Sequence, residues 1–145
     1  MPQLTEFLAV NDTVYPDGEG VFFDWIEIHN PEAGDLDLGG YFLTDDDQNL
    51  TRWTFPSPTV IPAGGYLVVF ASSDSTPPDG ELHTNFKLSG GGEYLGLVAP
   101  DGQTTIDQFA PTFPQEFADI SYGRNGSGDL RYFFNPTPEA ANGDG

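Results

Sequence analysis

Apolar and polar residues alternate over short runs through most of this chain, and turn-forming residues separate the runs. A period of two is what strands impose, because successive side chains point to opposite faces. The first run is about Leu4–Val10, followed by a polar loop through Asn11, Asp12, Pro16, Asp17, Gly18 and Gly20. In Phe22–Asn30 the pleat places Asp24, Ile26, Ile28 and Asn30 on one face, with Trp25, Glu27 and an outward His29 on the other. Pro31 ends this run, since proline removes a ladder donor. Leu36, Leu38, Tyr41 and Leu43 then lead through Gly39-Gly40 into Asp45-Asp46-Asp47.

The second half has the same style. Arg52–Phe55 stops at Pro56-Ser57-Pro58, and Thr59–Ile61 runs into the turn Pro62-Ala63-Gly64-Gly65. Tyr66–Phe70 is apolar enough to predict a central strand. A loop with Pro77-Pro78-Asp79-Gly80 leads to Asn85–Leu88, and Ser89–Gly92 turns into Glu93–Val98. Asp101-Gly102 predicts a hairpin before Thr104–Phe109, and Ile120–Tyr122 and Leu130–Phe134 close the series. Roughly nine short strands at this turn spacing predict an all-β, antiparallel two-sheet sandwich. No segment carries a convincing 3.6-residue period.

Several stretches, read in order, carry a family likeness. Asp24-Trp25-Ile26-Glu27-Ile28-His29-Asn30 resembles the D-W-I-E-L-x-N strand of the lamin-tail domain. Leu38–Asp45 is similar to that family's L-x-G-W-x-L-S-D, and Ile61–Val69 to its I-P-A-G-G-Y-L-V-V. Asn85-Phe86-Lys87-Leu88-Ser89 with Gly91-Gly92-Glu93 resembles its N-F-K-L-S hairpin. Ser121–Arg124 and Pro136–Asn142 resemble its S-x-G-R and P-T-P-G-A-A-N, with Glu139 in place of glycine. Tyr41 stands where tryptophan is common. The resemblance implies an immunoglobulin-like β-sandwich, in agreement with the strand pattern. It implies structural roles for Asp24, Trp25, Glu27, Asn30, Gly40, Asn85, Phe86, Lys87, Gly123 and Arg124. In bacteria it implies an accessory module of secreted or cell-surface proteins, and in animals a domain that contacts proteins and DNA. Fold alone licenses neither function.

Composition sharpens the picture. A chain of 145 residues with 37% hydrophobic content is one domain with a real core. We expect the sandwich over residues 1–138 and the start of a C-terminal linker over 139–145, the whole being a module of a longer protein. Twenty-three acids against four bases give a net charge of −19, which repels phosphate backbones and anionic membranes. DNA binding by analogy with the animal relatives is therefore a remote alternative. The absence of cysteine excludes disulfides, thiolate catalysis and thiolate metal sites. The longest apolar run, Tyr66–Ala71, is far short of the roughly 20 residues a membrane helix needs, so no membrane insertion is expected.

Candidate chemistry is sparse. Only His29 and His83 offer imidazole bases, both read as solvated, and catalysis is not expected. Asp45, Asp46 and Asp47, with Asp35 and Asp37 upstream, are candidate calcium ligands, because calcium takes six to eight oxygens from loop carboxylates and carbonyls. No other cofactor is implied. Asp24, Glu27 and Asn30 do not share a face and fit strand-end acceptors of loop amides better than a metal site. On so acidic a surface each cation should have an assigned partner, and Arg124 is expected to pair with Glu27 or Asp24. Trp53, between Arg52 and Thr54, is the candidate exposed aromatic for a sugar. The leading reading is a non-catalytic, protein-binding or spacer module, extracellular or on the cell surface, monomeric or weakly oligomeric. A calcium- or carbohydrate-binding module is the alternative.

Overall fold

The computed structural model describes residues 1–73 and 81–142. The Pro77–Gly80 loop and the last three residues of the expected linker lie outside the described residues. Eleven strands form among the described residues, and none of these residues is helical. They are β1 (Gln3–Leu8), β2 (Asp24–His29), β3 (Leu36–Asp37), β4 (Phe42–Thr44), β5 (Trp53–Thr54) and β6 (Val60–Ile61). There follow β7 (Tyr66–Ala71), β8 (Leu95–Val98), β9 (Thr105–Phe109), β10 (Ser121–Arg124) and β11 (Leu130–Phe133). Eleven against roughly nine reflects short pieces: β3, β5 and β6 are two residues each, inside the runs Leu36–Leu43, Arg52–Phe55 and Thr59–Ile61.

Two antiparallel sheets make the sandwich. One has the order β11-β10-β1-β2-β7, the other β5-β4-β8-β9, and β3 pairs with β6 as a small third ladder. The five-stranded sheet turns Leu4, Phe7, Ile26, Ile28, Val69 and Ala71 inward, against Leu43, Leu95, Leu97 and Phe109 of the four-stranded sheet. Phe7 anchors this core, with ring centroids 5.1 Å from Phe109 and 4.4 Å from Phe113. Leu4 and Phe7 are three apart, which a flat strand would put on opposite faces. A register shift between Leu4 and Glu6 restores both to the core, as a bulge does by inserting one residue.

β2 follows the predicted pleat, but both its faces are covered. Trp25 on the outer face joins Leu8 and Phe70 in a second cluster, roofed by Val14, Tyr15 and Phe23 of the β1–β2 loop. Tyr66–Ala71 is not the predicted central strand: among the described residues β7 has β2 as its one ladder partner and lies at the sheet edge. Its apolar run reflects packing on both faces, core inside and the Trp25 cluster outside, rather than a neighbour on either side.

The C-terminal stretch packs beyond residue 138. The Asn142 side-chain amide donates to the carbonyls of Thr5 and Arg124, both at 2.7 Å, so residues expected to begin a linker are bonded to β1 and β10.

Candidate functional site

Several motif residues act as pins between strands and loops. Asp24 accepts the Leu88 amide at 3.0 Å, at the start of β2. Asn30, fully buried past its end, donates to the carbonyls of Ile61 and Gly34, both at 2.9 Å, and accepts the Glu32 amide. Asn85 donates to the Arg52 carbonyl at 2.8 Å, while Phe86 sits in the core with the Arg52 guanidinium over its ring. Gly40 turns the chain at φ 86°. Gly123 has a different reason: a Cβ there would stand 2.0 Å from the Thr5 carbonyl oxygen, so β10 reaches the β1 bulge only as glycine.

Arg124 does not pair with Glu27 or Asp24. Its Nη2 donates to Asp107 Oδ1 at 2.9 Å, and the guanidinium lies 5.1 Å from the Phe109 ring centroid. The reason is strand parity. Tyr122 packs on Phe7 and Phe109, so Arg124, two residues on, points to that same inner side, toward β9. Glu27 belongs to the outer face.

There Glu27 and Glu6 are register partners on β2 and β1, both fully buried. Glu27 accepts the Thr5 hydroxyl at 2.7 Å. Glu6 accepts the Ser121 hydroxyl, the Thr137 amide at 3.0 Å and the Thr137 hydroxyl at 3.2 Å. Burial pushes the Glu27 carboxyl up to about 8 despite the Thr5 bond, and the neighbouring Glu6 adds to the shift. Glu6 is raised as well, by burial. The stretch around Thr137 thus closes over a pair of carboxyls. Neither acid is available to a cation on the surface.

The five-stranded sheet ends in β11 on one side and β7 on the other, and the β7 edge is open over part of its length among the described residues. The Phe70 amide donates to the Leu82 carbonyl and the Phe70 carbonyl accepts from Thr84, both at 2.8 Å, so the far end of β7 is covered. Alternation then turns the backbone groups of Val68 and Tyr66 away from β2 as well. Among the described residues no strand takes them. They open into a groove of about 730 Å³ lined by Tyr15, Pro56, Pro58, Val60, Tyr66 and Val68, with Glu81 and Glu139 on its wall. The sequence signal for this edge was present in the uncharged, proline-free run, which reads equally well as a central strand.

The family comparison covers the segments up to the end of β9 and stops short of β10 and the C-terminal stretch. Residues 8–112, well over half of the chain, match the Lamin Tail Domain family. The chain belongs to that family. No curated protein matches it.

The other candidate residues of this lamin tail domain are dispersed. Asp45 faces Arg52, with Oδ1 3.2 Å from Nε, and is half-buried. Asp46 closes its own turn, accepting the Gln48 amide at 2.9 Å, and Asp47 contacts the Gln48 side chain at 3.4 Å. Asp37 accepts the amides of Gly39 and Thr59, and Asp35 that of Ala63. Among the described residues, the group of metal-ligating side chains that does converge lies elsewhere. Trp53 is half-buried rather than presented to solvent, its ring edge-on to Phe55 at 4.8 Å, because β5 pairs with β4 over the core.

The histidines of the lamin tail domain are also packed. His29 stacks on Tyr66 at 4.3 Å with Nδ1 3.0 Å from the Gly65 carbonyl. His83, read from sequence as solvated, is buried: it bridges to β7 at Phe70 and its Nδ1 lies 2.8 Å from Ser72 Oγ.

Proposed function

We propose that this lamin tail domain is a non-catalytic interaction module of a larger secreted or cell-surface protein, and that it takes an extended, basic segment of a protein partner against β7. The observation that carries the reading is the open edge at Tyr66 and Val68. Natural sheets protect exposed edges with charges, prolines, bulges or covering loops. Tyr66-Leu67-Val68-Val69 has none of the first three, and among the described residues its main-chain cover begins at Phe70. An edge left this way is what strand addition uses: main-chain bonds give affinity and flanking pockets give side-chain preference.

Charge selects the occupant. A net charge of −19, with Glu81 and Glu139 beside the groove, favours lysine- or arginine-bearing segments and disfavours nucleic acid or a second copy of the chain. The surface placement rests on the family resemblance and on an acidity suited to salt-rich surroundings.

Amide exchange tests this with a synthetic peptide of about eight residues alternating valine and lysine. The Tyr66 and Val68 amides are expected to gain protection on peptide addition, and Val68→Pro, which removes an outward donor and no bond to β2, is expected to abolish it. Equal protection by a valine–glutamate peptide would reject the charge argument. Unchanged exchange at both amides would reject the edge as the site, and concentration-dependent dimerisation protecting them would name a second copy instead.

A further inference from the structure

We propose that Asp17, Glu81 and His83 form a binding site for a divalent transition-metal ion of the zinc class. Asp17 lies in the β1–β2 loop, while Glu81 and His83 belong to the segment that covers the end of β7. One ligand atom from each lies within 4.8 Å of the others. Asp17 and His83 are 7% and 3% exposed, so this is no chance meeting of surface acids.

Each donor is held from behind. The His83 ring packs against Phe23 and Phe70, with centroids at 5.6 and 5.1 Å. Ser72 Oγ meets Nδ1 at 2.8 Å, which turns Nε2 toward the carboxylates, 3.3 Å from Glu81 Oε1. A bond at the other ring nitrogen is how metal-binding imidazoles are oriented. Asp17 Oδ1 accepts the amides of Glu19 and Val21, both at 2.9 Å, and Glu81 Oε2 accepts that of Gly18 at 2.5 Å. Each carboxylate is thereby fixed through one oxygen and keeps the other outside those bonds.

The donor set selects the ion. An imidazole nitrogen suits zinc and its neighbours, whereas calcium and magnesium favour all-oxygen shells. Two carboxylates held this close repel each other, and a doubly charged ion between them cancels both. Three protein donors leave a position for water or for an incoming group. The ion would tie the β1–β2 loop to the segment after β7. The site shares Glu81 with the wall of the β7 groove but does not rest on the peptide-edge reading, and it involves none of Asp45–Asp47.

The test uses untagged protein stripped with EDTA and titrated with zinc chloride, with cobalt(II) as the coloured probe. Binding of a single equivalent is expected, with a Tm rise of about 5 to 10 °C at a zinc concentration some hundredfold above Kd. The Nε2 resonance of His83 should shift while that of His29 stays put. Glu81→Gln is expected to weaken binding at least about tenfold and His83→Gln to abolish it. Should His83→Gln fail to fold, Glu81→Gln and the resonance decide. The site is overturned if zinc raises Tm no more than sodium chloride of matched ionic strength. Undiminished affinity in Glu81→Gln, or calcium stabilising as strongly as zinc, overturns it too.

Discussion

Glu6 and Glu27 face each other beneath the C-terminal stretch, whereas Asp37 at the end of β3, Asp101 and Asp119 clip nearby loops at the surface, and folding moves the two groups in opposite directions. Burial raises the first pair. Amide and hydroxyl donors lower the other three: Thr59 and Gly39 at Asp37, Thr104 and Gln103 at Asp101, Thr13 and Asp12 at Asp119. A formal count of 23 acids treats them alike. In the folded domain one set lies buried in the outer face of the sheet, its carboxyls raised by burial, and the other is a set of exposed-side clips whose carboxyls are lowered by the donors they accept. The surface is less acidic than the composition states, because acids such as Glu6, Glu27 and Glu116 are buried parts of the interior.

The largest effect should come from prising open the first region. Gly123→Ala forces a Cβ to within 2.0 Å of the Thr5 carbonyl, at the bulge beside Glu6. We expect a loss of about 4 kcal/mol in urea unfolding, in the upper range for single substitutions. Gly126→Ala, at a turn where nothing lies within 4 Å, should change stability by less than about 0.5 kcal/mol. Equal losses at the two glycines would show that β10 does not approach β1 as closely as described.

Titration sharpens the comparison next. The folded carboxyl of Glu27 is raised to about 8, that of Glu116 to about 8 and that of Asp24 to about 7, in each case chiefly by burial. A raised carboxyl holds its proton longer in the folded state than in the unfolded chain. Its stabilisation is fully present below the ordinary value of 4.5 (3.8 for Asp24) and is lost as pH rises through the folded value. The turn aspartates have the opposite sign, contributing above their ordinary value of 3.8 and losing that contribution in acid. Tm should therefore peak near pH 5 and fall by about 5 °C or more by pH 9. Glu27→Gln removes one of the protons concerned, so it should flatten the alkaline limb and leave the acid limb in place. A Tm that rises from pH 5 to pH 9 would place Glu27 in solvent.

The strands, the turns and the family were legible in the sequence because each is written in neighbouring residues: a two-residue period, Asp101-Gly102, Ile61-Pro62-Ala63-Gly64-Gly65. What covers a face was not legible. The pleat correctly sets Glu27 opposite Ile26, yet its burial depends on a stretch more than a hundred residues away that also bonds Glu6. The same limit hid the position of β7, since an apolar run records burial of its two faces and says nothing of its edges. His83 looked like one histidine near a loop. Only the fold brings Ser72, Glu81 and Asp17 around it.

The smallest effect concerns Arg124, which stands between the two regions. Its carbonyl holds Asn142 over the outer face, while its guanidinium crosses to Asp107 on the four-stranded sheet. Both side chains of the ion pair are partly exposed, 28% and 20%, so solvent weakens the attraction. A double-mutant cycle of Arg124→Ala with Asp107→Asn should give a coupling of about 1 kcal/mol or less, but not zero. Asparagine is the better partner change here, because Asp107 Oδ2 also accepts the Leu4 amide at 2.9 Å and an alanine would remove that bond with the charge. The parallel cycle of Arg124→Ala with Glu27→Gln should be additive, since the two side chains lie on opposite faces of their sheet. Coupling to Glu27 in place of Asp107 would reverse the parity of β10, and with it the placement of Arg124 on the face away from the buried carboxyls.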